Sequence, residues 1–222
     1  MPRDASPARR AATTLPRHAA AAQLSIAVRH LGRHDATLRP VMRAWGPCGL
    51  RPNRRYYASL LRSIVGQQLS GAAARSIWNR VRAHFPASRD PRPEAVLATP
   101  DERLRTLGLS RAKIASMKDL SAHVLDGRLD LRHLSRLDDD QVVEALVAVR
   151  GIGEWTAHMF MMFSLFRLDV LPTGDLGIRK GFQRLCGLPA LPGPDHMRAI
   201  ADERGWAPYR SVACWYLWRL LD

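Results

Sequence analysis

Apolar residues recur at helical spacing along most of this chain. Tyr57, Leu60, Leu61, Ile64 and Val65 form the clearest single stripe, one face of a helix that must be covered by other elements. The same period predicts helices over 21–32, 35–45, 54–69, 71–84, 111–125, 138–149, 154–166, 176–186, 195–204 and 208–221, with short helical turns near 93–98 and 101–107. Breakers separate these segments, among them Pro40, Gly46-Pro47, Pro86, Pro91, Pro100, Pro172 and Pro189. Strand-like alternation is scarce, and no repeat of fixed period is present. The pattern predicts an all-α, multi-helix protein. No apolar run approaches the roughly 18 residues that would read as a membrane span.

Composition narrows the function classes. With 222 residues, 46% of them hydrophobic, the chain is long enough for one large domain or two small ones sharing a cleft. That apolar share excludes a disordered or collagen-like chain. Three scattered cysteines, Cys48, Cys186 and Cys214, do not make a disulfide framework and suit a reducing compartment. The net charge of +14 favours a polyanionic partner, above all nucleic acid. All but Lys113, Lys118 and Lys180 of the 34 basic residues are arginine, which a GC-rich genome would also produce. The surplus is uneven, because residues 1–55 hold 11 arginines against Asp4 and Asp35. Residues 1–20 read as a basic, disordered tail. The tail lacks the continuous apolar run of a secretory signal. An Arg-rich tail would also suit a mitochondrial transit peptide, but the expected location is the bacterial cytoplasm, in association with the nucleoid.

The chemistry concentrates in residues 138–182. A helix carrying Val142, Val143, Leu146 and Val147 runs into Arg150-Gly151-Ile152-Gly153, and a second helix opens at Glu154 or Trp155. Two glycines around one apolar residue allow a tight reversal, with Ile152 plugging the gap. Amides at the start of the second helix lack intrahelical partners and face outward, where they suit a phosphate oxygen. Such a site grips a nucleic-acid backbone without reading its sequence. Asp175, twenty residues after Trp155, opens the helix at 176–186. By itself it reads as a helix cap.

The run GIGEWTAHMFMMFSLFRLDVLPTGDLGIRKG, from Gly151, together with SIVGQQLSGAAARSI at 63–77, resembles the helix-hairpin-helix DNA glycosylase superfamily, and within it the alkylation-repair, 3-methyladenine type. The resemblance covers roughly residues 50–220 and the compact members of that branch. It implies two helical subdomains flanking a cleft: a helical barrel at 51–165 ending in the helix-hairpin-helix, and a second unit made of 21–50 plus 166–222. It also implies double-stranded DNA containing damaged bases as partner, no membrane, and a monomer.

Residue by residue, the resemblance makes Asp175 the catalytic carboxylate, facing the positive charge that develops on deoxyribose as the base departs. Asp169 remains a structural competitor. Trp155 stands where bifunctional relatives carry a Schiff-base lysine, so a monofunctional enzyme that uses water and leaves an abasic site is implied. Trp155, Tyr209, Met159 and Trp45 are expected in the base pocket, with Trp206 and Tyr56 as further aromatic candidates. The i, i+3 spacing of Trp215 and Trp218 marks them as core. Aromatic walls suit electron-poor or cationic bases such as 3-methyladenine and 7-methylguanine. Gln67, Gln68 and Leu69 are expected at the DNA, with Gln68 filling the space a flipped base leaves. Arg150, Gly151, Ile152, Gly153, Thr156 and Arg179 complete the expected DNA contacts. A monovalent cation under the hairpin is implied. With Cys186 and Cys214 alone in the C-terminal region, no iron–sulfur cluster is expected. His30 and His34 have metal-pair spacing but no third ligand nearby, so no metal site is expected. Two rival functions stay open: excision of deaminated or oxidised bases, and non-enzymatic recognition of damaged DNA.

Overall fold

The computed structural model describes residues 17–85 and 90–222. Among them the chain forms α1 (Arg17–His34), α2 (Arg39–Trp45), α3 (Tyr56–Gly66), α4 (Gly71–His84), α5 (Pro93–Ala98), α6 (Asp101–Thr106), α7 (Arg111–Leu125), a single 3₁₀ turn at Leu134–Arg136, α8 (Asp139–Val147), α9 (Glu154–Phe163), α10 (Leu176–Cys186), α11 (Pro194–Glu203) and α12 (Arg210–Arg219). The fold is all-helical. No helix among the described residues is long and apolar enough to cross a membrane.

Two sequence expectations are corrected. The sequence pattern extends the tail to residue 20, but α1 begins at Arg17, because Ala20, Leu24, Ala27 and Leu31 form a buried stripe that the alanine-rich start extends. Residues 1–16 lie outside the described residues. The helix expected over 35–45 starts only at Arg39. Asp35 Oδ1 accepts from Thr37 N at 2.8 Å and Leu38 N at 3.0 Å, turning the chain before Pro40 enters the first turn of α2.

The helices pack in two groups. In one, α3 lies against α4, α7 and α9, α7 against α5 and α6, and α8 against α9. Leu60, Leu61, Ile64 and Val65, the stripe read from the sequence, are fully buried at its centre. In the other, α12 packs against α1, α2 and α10. The chain passes from the first group to the second through the non-helical stretch 164–175. Ser211 clips that stretch onto α12, accepting from Val170 N at 2.8 Å and donating to Arg167 O at 2.8 Å. Asp169 takes Arg210 in a two-point ion pair, with Nε to Oδ1 and Nη2 to Oδ2 both 2.8 Å. The competing aspartate is therefore occupied in holding the crossing segment.

Asp35 ties the α1–α2 turn to the C-terminal part of the chain. Its carboxylate is 3% exposed and accepts the indole N–H of the fully buried Trp206 at 2.8 Å. Burial pushes this carboxyl up, but the bonds from Thr37, Trp206 and Leu38 and the charge of Arg204 outweigh it and hold it below the usual carboxylate range. A folded-state pKa below the unfolded one stabilises the fold above about pH 4, and that contribution is lost as pH falls further. We expect urea stability to decline below about pH 4, and Asp35→Asn to lose about 3 kcal/mol at neutral pH with a flatter acid decline. Chemical denaturation from pH 3 to 7 checks both.

Candidate active site

The hairpin is built by its two helices and braced by a third. Asp138 and Gln141 close a reciprocal cap on α8, which fixes where that helix begins. Beyond α8, Ile152 N donates to Val149 O at 3.1 Å, and Ile152 is 3% exposed, filling the turn as the sequence suggests. Gly151 has φ +77°, and a Cβ there would lie 3.0 Å from Ser116 Cβ and overlap Ser116 Oγ. Asp119 on α7 accepts the Arg150 N–H at 2.8 Å. Gly153 caps α9 with no side-chain acceptor for the amides of its first turn, and both glycines are exposed. Amides left open at a helix start can accept an anion. Thr156 is buried, so its hydroxyl does not face outward. Arg150 is exposed beside the turn. Arg179 is half-buried and donates to Pro192 O at 3.1 Å, which ties α10 to the loop before α11.

The α3–α4 turn meets the hairpin. Gln67 Nε2 donates to Gly151 O at 2.7 Å, so its side chain is engaged in bracing the two loops. Gln68, exposed and at φ 57°, and Leu69, 38% exposed, are left projecting. A positive φ is uncommon for a residue with a side chain and aims Gln68 out of the turn.

Asp175 caps α10, but the cap uses only part of its carboxylate. Oδ1 accepts Ile178 N at 2.8 Å and also Trp218 Nε1 at 2.9 Å. Oδ2 accepts Trp155 Nε1 at 2.7 Å. The residue is 9% exposed. Gly177 makes room for this arrangement, because a Cβ there would stand 2.9 Å from Trp218 Cδ1 and 3.0 Å from Asp175 Oδ1. Trp218 also stacks on Phe163 of α9, with centroids 5.8 Å apart. The reading of Trp218 as core is thus corrected. The buried residues of α12 are Ser211, Val212, Ala213, Cys214, Tyr216 and Leu217, and Trp215 and Trp218 pack half-buried at the edge of the core. The available signal was the need of an indole N–H for an acceptor.

A cleft of about 810 Å³ opens between α9 and the α3–α4 unit. Trp155, Met159, Phe160 and Phe163 line its α9 wall, Ser59, Arg62 and Ser63 come from α3, and Gln67, Gln68 and Leu69 stand at the turn. Two expected pocket residues are absent from this lining. Tyr209 packs edge-on against His30, with centroids 5.1 Å apart, because it sits at the start of α12 where that helix meets α1. Trp45, at the end of α2, lies under the Arg219 guanidinium, 5.7 Å from the ring centre. Trp206 is buried on Asp35, and Tyr56 packs edge-on behind the wall on Phe160 at 5.4 Å. His30 Nε2 is joined to Gly205 O at 2.8 Å, and no His, Cys, Asp and Glu cluster among the described residues could hold a metal ion.

The two hairpin glycines should respond differently to a methyl group. Gly151→Ala adds a left-handed backbone and an overlap with Ser116, and we expect it to lose at least about 2 kcal/mol. Gly153→Ala, at φ −100° with nothing within 4 Å of its Cβ, should lose under about 1 kcal/mol. Urea unfolding of both variants tests the contrast.

Comparison with known proteins agrees with this geometry. A family model described as the HhH-GPD superfamily base excision DNA repair protein matches residues 61–206. The chain is 34% identical over 196 residues to DNA-3-methyladenine glycosylase 1 of Schizosaccharomyces pombe, covering 86% of this chain and 84% of the relative. A solved structure of the S. pombe 3-methyladenine DNA glycosylase in complex with abasic DNA superposes with a TM-score of 0.76 at 33% identity, over 87% of this chain and 95% of that one. The DNA-3-methyladenine glycosidase of Bacillus halodurans superposes with a TM-score of 0.77 at 39% identity, over 87% and 88% of the two chains. With a family model matching residues 61–206 and a relative 34% identical over most of both chains, the chain belongs to the HhH-GPD superfamily of base excision DNA repair proteins.

Proposed function

We propose that this protein is a monofunctional DNA glycosylase that removes alkylated purines of the 3-methyladenine and 7-methylguanine type from duplex DNA and leaves an abasic site. The observation that carries this reading is Asp175, a carboxylate fixed by three N–H donors beside an aromatic-walled cleft. The relatives named for 3-methyladenine excision support the substrate class.

Each part of the site has a task. The exposed amides of the hairpin and of the first turn of α9 grip backbone phosphates, and Arg150 adds charge beside them. The Val149 and Gly151 carbonyls would hold a monovalent cation, each having given one lone pair to Ile152 N or Gln67 Nε2. Such an ion would add positive charge at the hairpin. Gln68 fills the gap in the base stack and offers its amide to the orphaned partner base. The flipped base lies against Trp155, Met159 and Phe163, and a cationic ring gains over the indole face what a neutral purine does not.

An alkylated, positively charged purine departs with the electron pair of its bond to C1′ and becomes neutral. Positive charge moves to the sugar, where the Asp175 carboxylate stabilises it. Water then adds at C1′ and gives up a proton. A Schiff base needs an amine near C1′. Lys113 is held on Val65 O at 2.7 Å, Lys118 pairs with Asp101, and Lys180 is exposed on α10, while position 155 is an indole.

We expect Asp175→Asn to lose at least about 100-fold in base release from methylated duplex DNA, with lesion binding kept within severalfold. Strand breaks should appear only after alkali. Release of hypoxanthine or 8-oxoguanine in place of methylated purines would overturn the substrate class. Gly177→Ala, which drives Trp218 away from Asp175, should lower single-turnover release by about 10- to 100-fold with native helix content. Chromatography of released bases and circular dichroism measure these outcomes.

A further inference from the structure

The cleft and the carboxylate are adjacent but not continuous. The lining of the cleft includes Trp155, Met159 and Phe163 and stops short of Asp175. What separates them is the Trp155 indole. Its N–H lies 2.7 Å from Asp175 Oδ2, and Asp175 is only 9% exposed while Trp155 is 49% exposed. The other oxygen offers no alternative, because Ile178 N and Trp218 Nε1 already occupy both acceptor positions of Oδ1. A sugar or a water approaching the carboxylate from the cleft must therefore come to Oδ2, one of whose two acceptor positions the Trp155 indole N–H fills.

The two tryptophans on Asp175 are not equivalent. Trp218 is half-buried, stacked on Phe163 and in close contact with Gly177, so its ring is braced by two elements. Trp155 is the second residue of α9, follows the open turn at Gly153, and has half its surface free. We propose that Trp155 is a latch on the carboxylate, closed in the free protein by its N–H bond to Asp175 and released when a lesion nucleotide stacks on the indole. Trp155 is then a positioning and specificity residue as well as a wall. A cationic base over the indole face compensates for the lost bond better than a neutral purine does, so the latch filters bases before chemistry. This inference rests on the reading of Asp175 as the catalytic carboxylate.

The test uses the full chain labelled with indole-¹⁵N tryptophan. Its six tryptophans give six indole N–H signals, and Trp155→Phe, a change at a half-exposed site, assigns the one that matters. Solvent exchange of each N–H is measured for free protein, with undamaged duplex, and with a duplex carrying a non-cleavable 2′-fluoro 7-methylguanine nucleotide. We expect the Trp155 and Trp218 protons to be protected in the free protein and with undamaged duplex. With the lesion duplex the Trp155 proton should exchange at least about tenfold faster and shift, while Trp218 stays protected. A Trp155 signal unchanged by the lesion duplex, or one unprotected in the free protein, overturns the latch. Base release by Asp175→Asn, run alongside, separates the two failures. Full release by that variant removes the catalytic reading itself, whereas loss of release with an unmoved Trp155 signal removes only the latch.

Discussion

Asp175 receives N–H donors from three places in the chain: Ile178 on its own helix, Trp218 on α12 and Trp155 on α9. Burying an ionised carboxylate without such donors would be strongly unfavourable, and with them it is a fixed negative charge. The arrangement exists only when α9, α10 and α12 are seated together. It therefore demands that both groups of helices be complete before the site is. Gly177 and Gly181 on α10 serve the same demand, since a Cβ at Gly181 would come within 2.7 Å of Leu217 Cβ. Small residues let α10 and α12 approach until the Trp218 indole reaches the carboxylate.

The rest of the molecule brings the backbone-binding hairpin to that charge. The hairpin belongs to the group around α3, and the carboxylate caps α10 in the other group. The segment 164–175 joins them, and the Asp169–Arg210 pair and Ser211 fix its path. Asp119 and Gln67 brace the hairpin from α7 and from the α3–α4 turn. Phosphate grip and anion are thus set at a constant separation by packed elements, while Gln68, Leu69 and Trp155 are exposed.

Much of this was legible in the sequence because its signals are local. The stripe through Leu60, Leu61 and Ile64, the Gly-Ile-Gly turn and an aspartate at a helix start each sit within one turn or one helix. Asp175 and Trp155 were identified through the family pattern, and the structure brings them within one hydrogen bond. What escaped depends on contacts between distant segments. Spacing alone put Trp218 in the core with Trp215, yet its partner lies 43 residues away in the chain. The resemblance puts Tyr209 and Trp45 in the pocket, but Tyr209 packs on His30 and Trp45 lies under Arg219, away from the cleft lining. The late start of α2 likewise follows from a side chain, Asp35, competing for backbone amides.

The central claim is that a fixed anion meets positive charge on the sugar. The most direct measurement compares binding of two abasic duplexes, one carrying a neutral tetrahydrofuran and one a cationic pyrrolidine in place of deoxyribose. Wild-type protein should bind the cationic duplex at least about tenfold more tightly, and Asp175→Asn should lose that preference. Equal affinities in the wild type, or a preference that survives in Asp175→Asn, would contradict the assignment of Asp175.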